Sequence, residues 1–208
     1  MTSPRIRAVV FDFGGVLIDW NPRYLYRKLL PDESAVEAFL GEVGFMEWNA
    51  QMDRGVAFAA AVAELAERHP TRAELIRAYH ERWEETMGGP MPETVELLQE
   101  LAANGIELHG LTNWSHETFV VTRTRPQYGF FRHFTHIVVS GEEKVMKPDP
   151  RIFTVLLERI GRRASECLFI DDNPPNVAAA RALGFDTIQF TSADQLREEL
   201  TKRGLLPG

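Results

Sequence analysis

Short β-type runs recur along this chain, and segments of helical periodicity separate them. Ala8-Val9-Val10-Phe11 is the first run. Ile106 to Leu111, Ile137-Val138-Val139, Leu168-Phe169-Ile170 and Thr187-Ile188-Gln189-Phe190 follow it. Apolar runs this short suit strands covered on both faces, as in parallel sheets. Between them, Val95, Leu98, Leu101 and Ala102 share one helical face, and Asn104-Gly105 supplies a stop. Ile152, Phe153, Leu156, Leu157 and Ile160 form a second stripe ahead of Gly161. Val177 to Leu183 is Ala-rich and ends at Gly184, and Ser192 with Gln195 has capping-box spacing. Strands alternating with helices predict an α/β fold, a Rossmann-like doubly wound parallel sheet with right-handed crossovers.

One region breaks the alternation. From about Trp20 to Met87 no convincing strand is legible. Tyr24 to Leu30, Ser34 to Leu40, Ala57 to Arg68 and Arg72 to Met87 read as helices. This predicts a helical insertion after the first strand, with Gly88-Gly89-Pro90 as the turn back into the core. Tyr24, Tyr26, Phe58 and Trp83 are expected to pack inside it.

Composition narrows the function. The 208 residues are 44% hydrophobic and 25% charged, enough to build a core and too apolar for a disordered chain. The net charge of −7 argues against a general nucleic-acid binder, which needs a phosphate-neutralising surface. It leaves room for a small anionic substrate held by a local cation. The longest purely apolar stretch, Val56 to Ala63, is far short of the roughly 20 residues of a membrane span, and no signal-peptide pattern precedes Ala8. Cys167 is the single cysteine, so no intrachain disulfide forms and a reducing cytoplasm is the expected location. The oligomeric state is not legible.

In an open parallel sheet, ligands bind beyond the carboxyl ends of the strands. Here the first run ends in Asp12 and the second in Thr112-Asn113. The third leads through Ser140-Gly141 to Lys147-Pro148-Asp149-Pro150, and the fourth ends in Asp171-Asp172-Asn173. Taken singly, each is also a common turn former, helix cap or loop charge. Together they bring three carboxylates, an ammonium, a hydroxyl and an amide towards one crevice. Crowded carboxylates repel, and a divalent cation removes the conflict. Oxygen donors with no Cys or His cluster suit Mg²⁺, which keeps open positions for phosphate oxygens. The helix start at Thr112-Asn113-Trp114-Ser115 offers N–H donors, and Lys147 adds positive charge. A carboxylate beside such a phosphoryl group can attack it in line, giving an aspartyl-phosphate that water hydrolyses.

These four segments resemble, in order, the four motifs of the haloacid dehalogenase superfamily. Asp12-Phe13-Gly14-Gly15-Val16 is similar to the first, Thr112-Asn113 to the second, Lys147-Pro148-Asp149-Pro150 to the third and Asp171-Asp172-Asn173 to the fourth. The resemblance implies a core of residues 1–19 and 88–208 and a small helical cap over 20–87, hinged near Asp19-Trp20 and Gly88-Gly89-Pro90. It implies Asp12 as nucleophile, Thr112 and Asn113 holding the transferring group, and Lys147 pairing with Asp12 and the phosphoryl oxygens. It further implies Mg²⁺ held by Asp12, the Gly14 carbonyl and Asp172, with Asp171 as a further ligand or a partner beside it. Sugar-phosphate phosphatases with a Gly-rich first motif, and the phosphatase-like domain of soluble epoxide hydrolases, are most similar in appearance.

One departure matters. Many phosphatases of this superfamily carry a second Asp two residues after the nucleophile, as general acid and base; here that residue is Gly14. Three consequences are open: a substrate with a good leaving group, such as a sugar 1-phosphate or an acyl phosphate; a proton donor from the cap, between Trp48-Asn49 and Asp53-Arg54-Gly55; or weak activity. The first is the expectation. Gly14 also fits a 2-haloacid dehalogenase, which uses the same nucleophile without metal, but the acidic pair Asp171-Asp172 favours the phosphatase. A non-catalytic binding module is the third alternative. Trp114 is expected to narrow the pocket or pack under the cap, and Arg54 to read a second anionic group or to sit in a surface ion pair.

Overall fold

A computed structural model describes residues 6–207; residues 1–5 and 208, the ends of the expected core, lie outside the described residues. Seven strands form among the described residues: β1 (Ala8–Phe11), β2 (Ile18–Trp20), β3 (Met87–Pro90), β4 (Glu107–Thr112), β5 (His136–Val139), β6 (Cys167–Asp171) and β7 (Asp186–Gln189). Five of them build one parallel sheet in the order β5-β4-β1-β6-β7. The chain runs outward from β1 through β4 to β5, then returns to the other side of β1 for β6 and β7. That reversal beside β1 is the topological switch point, where doubly wound sheets open a crevice for ligands.

Strand alternation explains the layers. Val9 and Phe11 point into one apolar cluster with Leu97, Leu101 and Leu200, under the helices Pro92–Ala103 and Ala193–Lys202. Ala8 and Val10 point the other way, onto Ile152, Phe153, Phe169 and Ala180 under Pro150–Ile160 and Pro174–Ala182. All four β1 residues are fully buried, as the unbroken apolar run requires. The Ser192 hydroxyl accepts the Gln195 N–H at 3.2 Å, while the Gln195 side chain reaches the N–H of Thr191, one residue earlier than a capping box predicts.

Between β2 and β3 lies the helical insertion, with its own core of Tyr26, Phe39, Phe45, Trp48, Phe58 and Tyr79. Ring centroids there approach to 4.7 Å for Tyr26–Phe39 and 4.9 Å for Phe45–Tyr79. Trp83 packs at the edge of this core, and Tyr24 turns its hydroxyl to Asp19 Oδ2 at 2.7 Å.

The insertion departs from the sequence reading in four places. The helix expected over Tyr24 to Leu30 is a single turn, Arg23–Tyr26. Helix Arg72–Met87 is in fact Ala73–Glu81, followed by a 3₁₀ turn over Trp83–Thr86. A helix at Phe45–Asp53 was not anticipated. The segments read as hinge and turn are strands: β2 and β3 pair antiparallel, Asp19 opposite Gly89 and Trp20 opposite Met87. Ile18-Asp19-Trp20 is too short to show a strand pattern and its Gly-Gly-Pro partner has little β-propensity, so tertiary context makes this pairing. Gly88 permits it sterically, because a β-carbon there would lie 2.1 Å from Asp19 Oδ2.

Candidate active site

The site grows from the end of β1. Directly after it, the Phe13 carbonyl accepts the N–H groups of Val16, Leu17 and Ile18, folding the chain into a tight loop. Phe13 is buried among Phe119, Phe131 and Phe134 and anchors that loop. Asp12 is thereby fixed at the crevice floor. Its Oδ1 accepts the Phe13 N–H at 2.7 Å, and its Oδ2 lies 2.8 Å from Lys147 Nζ. Gly15 has φ of +72°, and a β-carbon on it would stand 2.4 Å from Asp172 Oδ2. A left-handed residue without a side chain is therefore needed where the Asp172 carboxylate, just after β6, passes over the first loop.

Lys147 is the electrostatic centre. Its side chain has no exposed surface, and its ammonium bridges Asp12 and Asp171 Oδ2, the latter at 2.6 Å. Asp171 also accepts the Asn173 N–H at 2.8 Å and the Asn176 amide on both oxygens at 3.1 Å. Asn113 secures Lys147 from the other direction. Its Nδ2 donates to the Lys147 carbonyl at 3.0 Å, and its Oδ1 accepts the Lys147 N–H at 2.8 Å. Both polar ends of the Asn113 side chain are thus committed to the lysine backbone. Thr112 ends β4 in a buried position, and Asn113, Trp114 and Ser115 rather than Thr112 line the cavity.

The charges are strongly perturbed. Burial pushes the Asp12 carboxyl up to about 8; Lys147 pulls it back and the neighbouring Asp171 adds to the rise. Burial pulls Lys147 down, but Asp12 and Asp171 outweigh it and hold the ammonium above the ordinary lysine range. Asp172, more open to solvent, is raised by burial and by Asp171. Asp12, Asp171 and Asp172 each offer an oxygen, all within 4.8 Å of one another. This all-carboxylate set suits a hard divalent cation such as Mg²⁺. Asp12, Asp172 and the Gly14 carbonyl are the groups that would hold it, since the oxygens of Asp171 already meet Lys147, Asn173 and Asn176.

Above Asp12 lies a cavity of about 340 Å³, floored by Asp12, Gly14 and Asp172 and roofed by the insertion. Trp114 lines it, held by its indole N–H to Thr118 at 2.9 Å. Of the proton-donor candidates from the insertion, Asn49 and Asp53 reach the cavity. Trp48 is buried in the insertion core with its indole on the Ala61 carbonyl, and Arg54 is exposed outside the lining. Sequence reasoning missed Asn176 and Tyr79 as site residues. Asn176 had a usable signal, a second polar side chain in the first turn of the helix after Asp171. Tyr79 had none, because its helical spacing marks it only as core.

Comparison with known proteins settles the family. The sequence profile of haloacid dehalogenase-like hydrolases matches residues 6–184. The chain belongs to this family of hydrolases. Among relatives of this haloacid dehalogenase-like hydrolase, a sesquiterpene phosphatase of Aspergillus oryzae is 28% identical over 190 residues, 90% of this chain and 91% of that protein. A (S)-2-haloacid dehalogenase of Pseudomonas sp. is 26% identical over 93% of this chain and 88% of its own length. Two other relatives are longer: the chain spans 19% of mouse acyl-CoA dehydrogenase family member 10 and 44% of a flavin mononucleotide hydrolase of Arabidopsis thaliana. A haloacid dehalogenase family enzyme of Bacteroides thetaiotaomicron, crystallised with magnesium and inorganic phosphate, shares the fold at a TM-score of 0.65 and 23% identity, covering 89% of this chain and 94% of its own.

Proposed function

We propose that this hydrolase is a Mg²⁺-dependent phosphatase that releases phosphate from a small metabolite through an aspartyl-phosphate on Asp12. The observation that carries the reading is the Lys147 bridge between Asp12 and Asp171, with the open carboxylate of Asp172 beside it. A bare carboxylate repels a phosphate. Lys147 offsets that repulsion and stabilises charge on the equatorial oxygens as the bond forms. Asp171 and Asn113 keep the ammonium in place, and the Phe13 N–H fixes the attacking carboxylate. Mg²⁺, when bound, withdraws charge from the phosphoryl oxygens and makes the phosphorus a better electrophile. The insertion acts as a cap over residues 20–87 that excludes water from the acyl phosphate until the alcohol has left. The single free cysteine, Cys167, is buried in the sheet, which suits a reducing, cytoplasmic setting.

The roof of the cavity narrows the substrate. Trp20, Met46, Phe58, Trp83 and Met87 line it, and among the described residues no lysine or arginine does. Such a lining suits an uncharged leaving group that offers apolar surface. No helix among the described residues is long and apolar enough to cross a membrane. A panel of phosphorylated metabolites, assayed for phosphate release with Mg²⁺ and with chelator, tests the reading. Mg²⁺-dependent release that disappears in Asp12→Asn supports it. Halide release from 2-chloropropionate in chelator, with no phosphate release, replaces it by the dehalogenase.

A further inference from the structure

Gly14 leaves the alcohol side of Asp12 without a proton donor. We propose that Asp53, reaching into the cavity from the insertion, is the acid and base of the phosphoryl transfer at Asp12, an inference that rests on the phosphatase reading above. Asp53 ends the helix Phe45–Asp53 and lines the same cavity as Asp12 and Gly14. Its Oδ2 accepts Asn49 Nδ2 at 3.1 Å.

The orientation of Asn49 follows from its other partner. The Tyr79 hydroxyl donates to Asn49 Oδ1 at 2.7 Å, which turns the amide NH₂ towards Asp53. Each carboxyl oxygen has two acceptor positions, so these contacts aim the group without displacing its proton. Burial pushes the carboxyl up to about 7, with Ser115 and Arg54 pulling it partly back. A group that must first give and then take a proton works best when both forms are accessible near neutrality. Among the described residues the cavity lining holds two other carboxyl groups, Asp12 and Asp172, and both belong to the cluster at the floor.

The transfer balances in two halves. An Asp12 oxygen bonds to phosphorus, the ester P–O bond breaks onto the leaving oxygen, and that oxygen takes the Asp53 proton to become an alcohol. A water then bonds to phosphorus as Asp53 removes its proton. The acyl-phosphate P–O bond breaks, Asp12 returns as a carboxylate, inorganic phosphate leaves, and Asp53 is protonated again.

Single-turnover alcohol release by the full chain with Mg²⁺ tests this, across nitrophenyl, phenyl and benzyl phosphate. The parent protein should show a shallow dependence on leaving-group acidity. Asp53→Asn should lose about 10²–10⁴-fold on benzyl phosphate and little on nitrophenyl phosphate, whose phenolate leaves unprotonated. Adding Gly14→Asp to Asp53→Asn should restore part of the benzyl rate, because a β-carbon at Gly14 meets nothing within 4 Å. An equal loss on all three esters, or no loss, overturns the role of Asp53. So does a steep dependence in the parent protein, which needs no variant to detect. Asp12→Asn separates this result from the underlying reading: nitrophenol release that survives it removes the phosphatase mechanism itself.

Discussion

Replacing Lys147 by Met removes the buried ammonium from between Asp12 and Asp171 and keeps most of its stem volume, so little cavity forms. Two buried carboxylates then face each other with only N–H and amide donors for support. Breaking a buried pair by deleting one partner costs about 3–5 kcal/mol. Proton uptake by Asp12, already raised to about 8, relieves part of that at neutral pH, so the lower end of the range applies. For a chain of this size about 3 kcal/mol lowers the melting temperature by roughly 6–12 °C. The deficit should stay level from about pH 5 to about 8, where Asp12 keeps its proton in both proteins, and widen between there and about pH 9. In that range the parent's Asp12 ionises beside Lys147, while the native variant still holds a proton that the unfolded chain has lost, so its stability goes on falling as pH rises. Thermal melts in chelator at both ends of the pH range measure this. An unmoved melting temperature at both, with phosphate release intact, would mean that the ammonium neither holds the site nor serves the reaction.

Three further outcomes are expected. Gly15→Ala forces a β-carbon into the Asp172 carboxylate at a left-handed position, which should cost about 1–2 kcal/mol of stability and weaken Mg²⁺ binding by calorimetry; unchanged affinity would remove Asp172 from the ion site. His109 is buried with neither ring nitrogen hydrogen-bonded, and burial pulls it down from 6.5 to about 4, aided by His136. Between those values the unfolded chain takes up a proton that the native state refuses, so acid destabilises the fold. His109→Leu should flatten that slope and add about 1 kcal/mol, and an unaltered acid transition would count against it. Mg²⁺ should raise the melting temperature of the parent protein and not that of an Asp12→Asn, Asp172→Asn double variant; equal protection of both would place the ion elsewhere.

The parts of the fold legible in the sequence were those carried by local pattern. The run Ala8–Phe11 had to be a doubly covered strand, and four strand ends carried complementary chemistry. The ribbon of β2 and β3 was not legible, because Ile18-Asp19-Trp20 is too short to show a strand pattern and the Gly-Gly-Pro segment disfavours one. The helix Phe45–Asp53 carried a weak signal in Phe45, Trp48 and Met52, one helical face confined between Gly44 and Gly55. Within the site, residue types at the strand ends identified Asp12, Lys147, Asp171 and Asp172. Their division of labour was hidden. Only coordinates reveal that Asn113 clamps the Lys147 backbone and that Asn176 braces Asp171, because both contacts cross between elements distant in sequence or turn on a side-chain direction. The same applies to Asp53, whose place in the lining of the Asp12 cavity depends on how the insertion folds back over the sheet.

Mass spectrometry of acid-quenched enzyme, taken during turnover of nitrophenyl phosphate with Mg²⁺, tests the central claim most directly. The account predicts a phosphoryl adduct on the peptide carrying Asp12, labile to hydroxylamine as an acyl phosphate and missing from Asp12→Asn. A phosphoryl group on any other residue, or steady turnover with no adduct under conditions that make its hydrolysis slow, would contradict it.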